Sequence, residues 1–307
     1  MTILITTPNG GVGRHLTEAL RGREDVRFLV RSEAGARALG EVRGEVFRGD
    51  AADADDVRRA VAGVERLYLA HPFSVDQIAV ETGLGLAALE AGVRRIVKLG
   101  ARAFTGAGTV PDAVTGNHDV IAGRLRGAGV PELTVLRPDR FLQNFLTAAA
   151  AIAGGTLADP AGPAGARGYV DVRDIAEVAL AELLADRPVG GDIEISGPHA
   201  LTLPELAIRF GAALGRRVRY VDVPLDDAWR EDLARRGVPA PVVDGLRDLY
   251  TNYRREGVAG LGTASGVCSA ARRARRRTSR PTSSHPPPPC RKTVPALIWS
   301  SVNRRAI

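Results

Sequence analysis

Apolar and polar positions change their period along the chain in a regular order. Short apolar runs occur at Ile3–Thr6 (ILIT), Val26–Val30 (VRFLV), Glu45–Phe47 (EVF), Arg66–Ala70 (RLYLA), Arg95–Leu99 (RIVKL) and Leu133–Arg137 (LTVLR). Between them, helical stretches cover Gly11–Arg21, Asp53–Val61, Asp76–Ala91 and Gly116–Ala128. Strand then helix, repeated, predicts a parallel sheet covered on both faces, because each right-handed crossover lays its helix on a face. The expected class is α/β, a doubly wound Rossmann-type sheet, with its first domain over residues 1–150.

After Phe141 the pattern loosens into an Ala-rich helix, a Gly/Pro-rich stretch at Gly154–Gly168 and a mixed segment. Asp174 with Glu177, and Thr202 with Glu205, each place an oxygen acceptor three residues before a Glu, the spacing that satisfies the open amides of a helix start. Strands predicted at Ile193–Ser196 and Val218–Val221 complete a small α+β C-terminal region over residues 151–261, interleaved with the sheet and placed to cover a substrate.

The 307-residue chain is 45% hydrophobic and 25% charged, which excludes wholesale disorder, collagen-like repeats and disulfide scaffolds. No apolar run approaches the roughly 18 residues of a membrane span, and MTILITTPNG does not read as a secretory signal, so a cytoplasmic location without a membrane partner is expected. The net charge of +7 points to nucleic acid only until its source is located. Ten cations, from Arg272 to Arg305, follow Leu261 with no acidic residue among them, and the first 261 positions carry 32 basic against 35 acidic residues. Cys268 and Cys290 also lie beyond that point, so the body has no thiol for a disulfide, a nucleophile or a zinc site, and no metal is expected.

The first strand runs directly into Thr7, Pro8, Asn9, Gly10, Gly11, Val12 and Gly13, which open the first helix. A helix start has unpaired amides and partial positive charge, and glycine lets an anion approach the backbone, so the turn suits a pyrophosphate. Gly10 and Gly13 keep the spacing of a GxxGxxG turn, and Thr7 replaces its first glycine. The turn alone is a weak signal; its place after the first strand of a repeated βα pattern makes it a dinucleotide site. At the end of the second strand, Arg31 favours the 2′-phosphate of NADP(H), while the nearby Glu33 leaves NAD(H) open. Asp50, after the third strand, either caps the following turn or borders the adenine.

These residues resemble the NmrA-like group of atypical short-chain dehydrogenases/reductases. The resemblance rests on TPNGGVGRHL, VRFLVR, ALEAGVRRIVKLGA, GAGVPELTVLRPDRFLQNFL and GYVDVRDIAEVALAELL followed by ISGPHALTLPELA, in the family's order from residue 1 to about 260. It implies an NADP-binding domain, a small substrate region, and hydride transfer to a flat quinone or conjugated carbonyl, or a protein that only senses the cofactor. It also implies that Ala70 and His71, with Leu99 and Gly100, border the ribose and nicotinamide, that Pro138 lies on the nicotinamide side, and that Phe141, Gln143 and Asn144 face the substrate. Similar proteins often have a Ser near Gly100, so one polar contact is expected to be missing.

Most short-chain dehydrogenases/reductases use a Tyr four residues before a Lys as the proton donor. Neither Lys98 nor Lys292 has such a Tyr, and the Tyr169–Arg173 and Tyr250–Arg254 pairs read as structural, since arginine stays charged. His118, in the region where the family's tyrosine motif falls, is the remaining candidate catalytic donor, with an ordinary pKa near 6.5 suited to the role.

Residues 262–307 form a Pro/Arg-rich tail without helical period, expected to be disordered. A nucleic-acid partner would rest on this tail alone. With 40 Arg to 2 Lys in the chain, the preferred reading is a shifted frame of GC-rich DNA.

Overall fold

The computed structural model describes residues 1–106 and 108–257. The basic tail, with the questions of its frame and of nucleic acid, lies outside the described residues. In chain order the elements are β1 (Ile3–Ile5), α1 (Gly13–Leu20), β2 (Val26–Val30), α2 (Glu33–Leu39), β3 (Glu45–Arg48), α3 (Ala54–Val61), β4 (Arg66–Leu69), α4 (Gln77–Glu90), β5 (Arg95–Leu99), α5 (Ala113–Gly127) and β6 (Glu132–Pro138). A 3₁₀ segment (Leu142–Ala148) leads into α6 (Ala149–Ala153), β7 (Thr156–Asp159), α7 (Val172–Leu184), β8 (Gly191–Ile195), α8 (Leu203–Leu214), β9 (Arg219–Asp222), α9 (Asp227–Arg235) and α10 (Ala240–Arg255).

Two compact units interleave along the chain. The first takes Met1–Ala103, Val114–Pro138 and Val172–Ile195. It contains a seven-stranded parallel sheet in the order β3-β2-β1-β4-β5-β6-β8, with every pairing parallel. The order reverses between β1 and β4, the switch point outside which ligands gather in open α/β sheets. This is the doubly wound Rossmann-type architecture that the strand–helix alternation predicts. On one face, Val57 and Val61 of α3, Leu84 and Ala88 of α4, and Ile121 and Leu125 of α5 pack on Leu4, Leu29, Leu67, Leu69 and Ile96. Helices α1 and α7 pack against each other, and α7 against β4, β5 and β6.

Strand arginines close two helix ends. Arg27 of β2 donates to the carbonyls of Ala60 (2.5 Å) and Ala62 (2.9 Å) at the end of α3. Arg95 of β5, 3% exposed, donates to those of Glu182 (3.2 Å), Leu183 (3.3 Å) and Ala185 (2.5 Å) at the end of α7. The last carbonyls of a helix lack partners and carry its negative pole, so each cation satisfies both needs.

The second unit takes Phe104–Ala113, Asp139–Asp171 and the described residues after Ile195. Its parallel pair β7–β9 and helices α6 and α8 enclose Phe145, Ile152, Leu157, Tyr169, Leu206 and Phe210. Helix α8 has the expected capping box: Thr202 Oγ1 accepts from the Glu205 amide, and Glu205 accepts from the Thr202 amide.

The Asp174–Glu177 spacing does not mark a helix start, because α7 begins at Val172 and places Asp174 inside its first turn. Three further expectations need correction. The strand expected at Ile193–Ser196 is β8, which pairs with β6 in the main sheet and not in the small sheet that holds the strand near Val218–Val221. The partner of the strand near Val218–Val221 is β7, inside the Gly/Pro-rich stretch that carried no strand signal. Helix α5 starts at Ala113, three residues before the expected Gly116, so His118 lies in its second turn.

Candidate cofactor and proton-donor site

Because all strands of the sheet are parallel, their carboxyl ends share one edge. Thr7–Gly13 follows β1, Arg31 follows β2, Asp50 follows β3, Ala70 and His71 follow β4, Leu99 ends β5 with Gly100 after it, and Pro138 ends β6. The fold thus brings the sequence-predicted residues of the first unit to a single edge. Phe141, Gln143 and Asn144 belong to the second unit. There Phe141 bridges to Val170, the Gln143 side-chain amide donates to Asp171 Oδ1 (3.1 Å), and Asn144 is exposed.

The turn after β1 is built around the Thr7 carbonyl. The Gly10 amide donates to it at 3.0 Å, and a Cβ placed on Gly13 would lie 1.8 Å from it. Thr17 Oγ1 donates to the Pro8 carbonyl (3.1 Å), and Asn9 Nδ2 to the Gly35 carbonyl (2.8 Å), tying the turn to α1 and α2. Among the described residues the amides of Gly11, Val12 and Gly13 have no acceptor, and the first turn of α1 has no acidic residue and no side-chain cap. Three open amides at a helix start, with glycine on both sides of Val12, fit the pyrophosphate of a dinucleotide.

The end of β2 separates its two charges. Glu33 lies near Arg37 (3.7 Å) and Arg48 (3.4 Å). Arg31 is exposed and has no ion pair among the described residues. The acid that would hold a ribose hydroxyl is thus engaged with two cations, while the arginine suited to a phosphate is available. Asp50 accepts from the Ala52 amide (2.9 Å), so it caps its own turn. Thr6 Oγ1 donates to the Ala70 carbonyl (2.9 Å) and accepts from the Ala70 amide (3.0 Å), locking β1 to β4 beside His71.

His118 lies in a polar cluster that sequence reasoning missed. Lys98, second from the end of β5 and fully buried, is 2.6 Å from Glu81 Oε2 of α4 and 3.0 Å from His118 Nδ1. Gln77 and Asn117 complete the cluster through the Asn117 Nδ2 to Gln77 Oε1 bond (3.2 Å). The available signal was a cation in RIVKL, a strand buried on both faces, where a charge needs a buried partner.

The expected ordinary pKa of His118 also needs correction. Burial, then the Lys98 and Arg137 cations, hold its pKa well below the usual histidine range, so it is neutral at pH 7. Unfolded, His118 takes a proton as pH falls through about 6.5. Folded, it does not until lower pH, so the unfolded state binds more protons in that window and stability falls with pH. Relative to His118→Gln, the wild type should therefore lose stability below pH 6.5, by at most about 1.4 kcal/mol per pH unit. Urea unfolding at pH 7.5, 6 and 5 checks this, and a constant difference between the two proteins would contradict it.

Among the described residues, no group of three or more His, Cys, Asp or Glu could hold a metal, and no helix is long and apolar enough to cross a membrane.

The sheet order and open turn define a Rossmann fold of the dinucleotide-binding type. The model of the NmrA-like family matches residues 1–267, and the chain belongs to that family. It is 30% identical over 268 residues to an NAD(P)H azoreductase of Xenophilus azovorans, covering 84% of this chain and 90% of that protein. It is 32% identical over 252 residues to the (4-alkanoyl-5-oxo-2,5-dihydrofuran-3-yl)methyl phosphate reductase of Streptomyces griseus, covering 80% and 84% respectively. In fold it is similar to the NADPH-dependent quinone oxidoreductase of Escherichia coli solved with NADPH, with a TM-score of 0.71, 24% identity, and coverage of 88% of this chain and 99% of that one.

Proposed function

We propose that this protein is an NADPH-dependent reductase that delivers hydride to a small quinone or conjugated carbonyl compound. The observation that carries the reading is the set of three open amides at Gly11, Val12 and Gly13, placed beside the switch point of the sheet. The reductases among its relatives, one named for NAD(P)H and one solved with NADPH, support it.

Bound NADPH supplies the hydride. The amides of the turn hold the pyrophosphate, with Thr7, Asn9 and Gly10 shaping the turn. Arg31 takes the 2′-phosphate, Asp50 stands at the adenine end, and Ala70, His71, Leu99, Gly100 and Pro138 border the ribose and nicotinamide along the strand ends. In the second unit, Phe141, Gln143 and Asn144 are assigned to the substrate. His118, being neutral, acts as a hydrogen-bond donor to the oxygen that gains charge, not as an imidazolium acid. Solvent protonates the product oxygen, so positioning supplies most of the catalysis.

Calorimetry with NADPH and NADH, followed by NADPH oxidation with 1,4-benzoquinone and menadione, tests the reading. Arg31→Ala should weaken NADPH by about 1.5–3 kcal/mol, the range for hydrogen bonds to a charged group, and leave NADH nearly unchanged. Equal loss for both would defeat the role of Arg31. Tight NADPH binding without turnover on either quinone would mark a cofactor sensor instead.

A further inference from the structure

The Lys98 cluster has an order of donors and acceptors that determines the state of His118. Lys98 Nζ has three acceptors: Glu81 Oε2 at 2.6 Å, the Leu99 carbonyl at 2.9 Å and His118 Nδ1 at 3.0 Å. An ammonium has three hydrogens and no lone pair, so each contact uses one hydrogen. Gln77 Nε2 donates to Glu81 Oε1 (2.9 Å) and lies 3.4 Å from the same His118 nitrogen. The Gln77 amide is oriented from its other end as well, since its oxygen accepts from Asn117. His118 Nδ1 therefore faces two donors and no acceptor.

The other ring nitrogen is in a different position. Nε2 has no hydrogen-bond partner among the described residues, and it is not among the enclosed, unpartnered side-chain atoms, which are Tyr68 Oη and Thr82 Oγ1. His118 is half-buried, and its unpartnered Nε2 is not fully enclosed. A buried Lys–Glu pair adds little stability over an apolar pair of the same shape, so stability alone does not account for the arrangement.

We infer that Lys98 is a positioning residue: with Glu81 as its counter-charge, it fixes His118 in the Nε2–H tautomer and presents that hydrogen outward to a substrate oxygen. The substrate oxygen rests on the reductase reading; the tautomer does not. No proton leaves Lys98, so the cluster needs no route for resupply. The charged groups acting on it are Glu81 from α4, Lys98 from β5, Asp119 from α5 and Arg137 from β6. The last two form an ion pair at 2.5 Å.

The test is 15N NMR of the imidazoles in the full chain, with His118 assigned by the signal lost in His118→Gln. The wild type should show Nε2–H and an unprotonated Nδ1 from pH 8 down through 6. Lys98→Met alone leaves Glu81 buried without its cation and risks unfolding, so Glu81→Gln/Lys98→Met is the working variant. In it, His118 should protonate at a pH higher by about 1 unit, and kcat with menadione should fall about tenfold while NADPH affinity holds. A merely structural Lys98 would leave the titration of His118 unmoved. An Nδ1–H tautomer or an imidazolium in the wild type at neutral pH overturns the inference whether or not the variant folds, and an identical titration in the folded variant does so too. If the tautomer and its shift are as expected but neither quinone is reduced, the reductase reading fails and the assignment of Lys98 stands.

Discussion

Gly13→Ala is expected to destabilise the first unit by about 3 kcal/mol and to weaken NADPH binding about 100-fold, whereas Gly11→Ala, two residues away, should change stability by no more than about 0.5 kcal/mol. The difference is one of space. A Cβ on Gly13 would lie 1.8 Å from the Thr7 carbonyl oxygen and 2.7 Å from its carbon. Neither atom can swing aside as a side-chain end would, because the same oxygen accepts from Gly10 and the strand before it is paired on both edges. The turn would have to open, scattering the amides of Gly11, Val12 and Gly13. A Cβ on Gly11 meets only Val172 Cγ1 at 3.9 Å, an ordinary contact. Urea unfolding and calorimetry on the two variants measure both effects. Equal behaviour would show that the strand-to-helix turn is not held as described.

That contrast marks what can be read from the chain without coordinates. Glycine spacing, a strand before it and a helix after it are local, and so are the ends of β2 to β6. The parallel order then brings all of them to one edge. Contacts between distant segments are not local. Nothing in Gln77, Glu81, Lys98 or His118 alone says that α4, β5 and α5 share a cluster, although Lys98 inside RIVKL announces that some buried partner exists. Strand membership failed for a related reason. β8 alternates exposed and buried residues (Gly191–Ile195), as an edge strand does, and alternation cannot say which sheet has the free edge. β7 has four residues between a Gly–Gly pair and a Pro, too short for a periodic signal.

The second unit offers the other large effect. Arg140→Met is expected to cost about 3–5 kcal/mol, the range for removing one member of a buried ion pair. The guanidinium, 4% exposed, holds Asp159 with two bonds, at 3.0 and 2.5 Å, and Asp159 is itself nearly buried. Three rings lie against it: Phe145 at 5.0 Å, Tyr253 at 5.3 Å and Tyr250 at 5.5 Å from the guanidinium carbon. Methionine can fill much of the space between those rings, so the loss would come mainly from Asp159, left charged and enclosed, its carboxylate accepting, among the described residues, only from the Ala161 amide (2.9 Å). Arg140→Lys should recover only part of it, because an ammonium cannot match both carboxylate oxygens or stack flat on the rings. Arg140→Met/Asp159→Asn should recover more than the lysine variant, since it removes the stranded charge. Urea unfolding of the three variants orders them. A single Arg140→Met change that cost under about 1 kcal/mol would mean that Asp159 reaches water and that the pair is not an enclosed one.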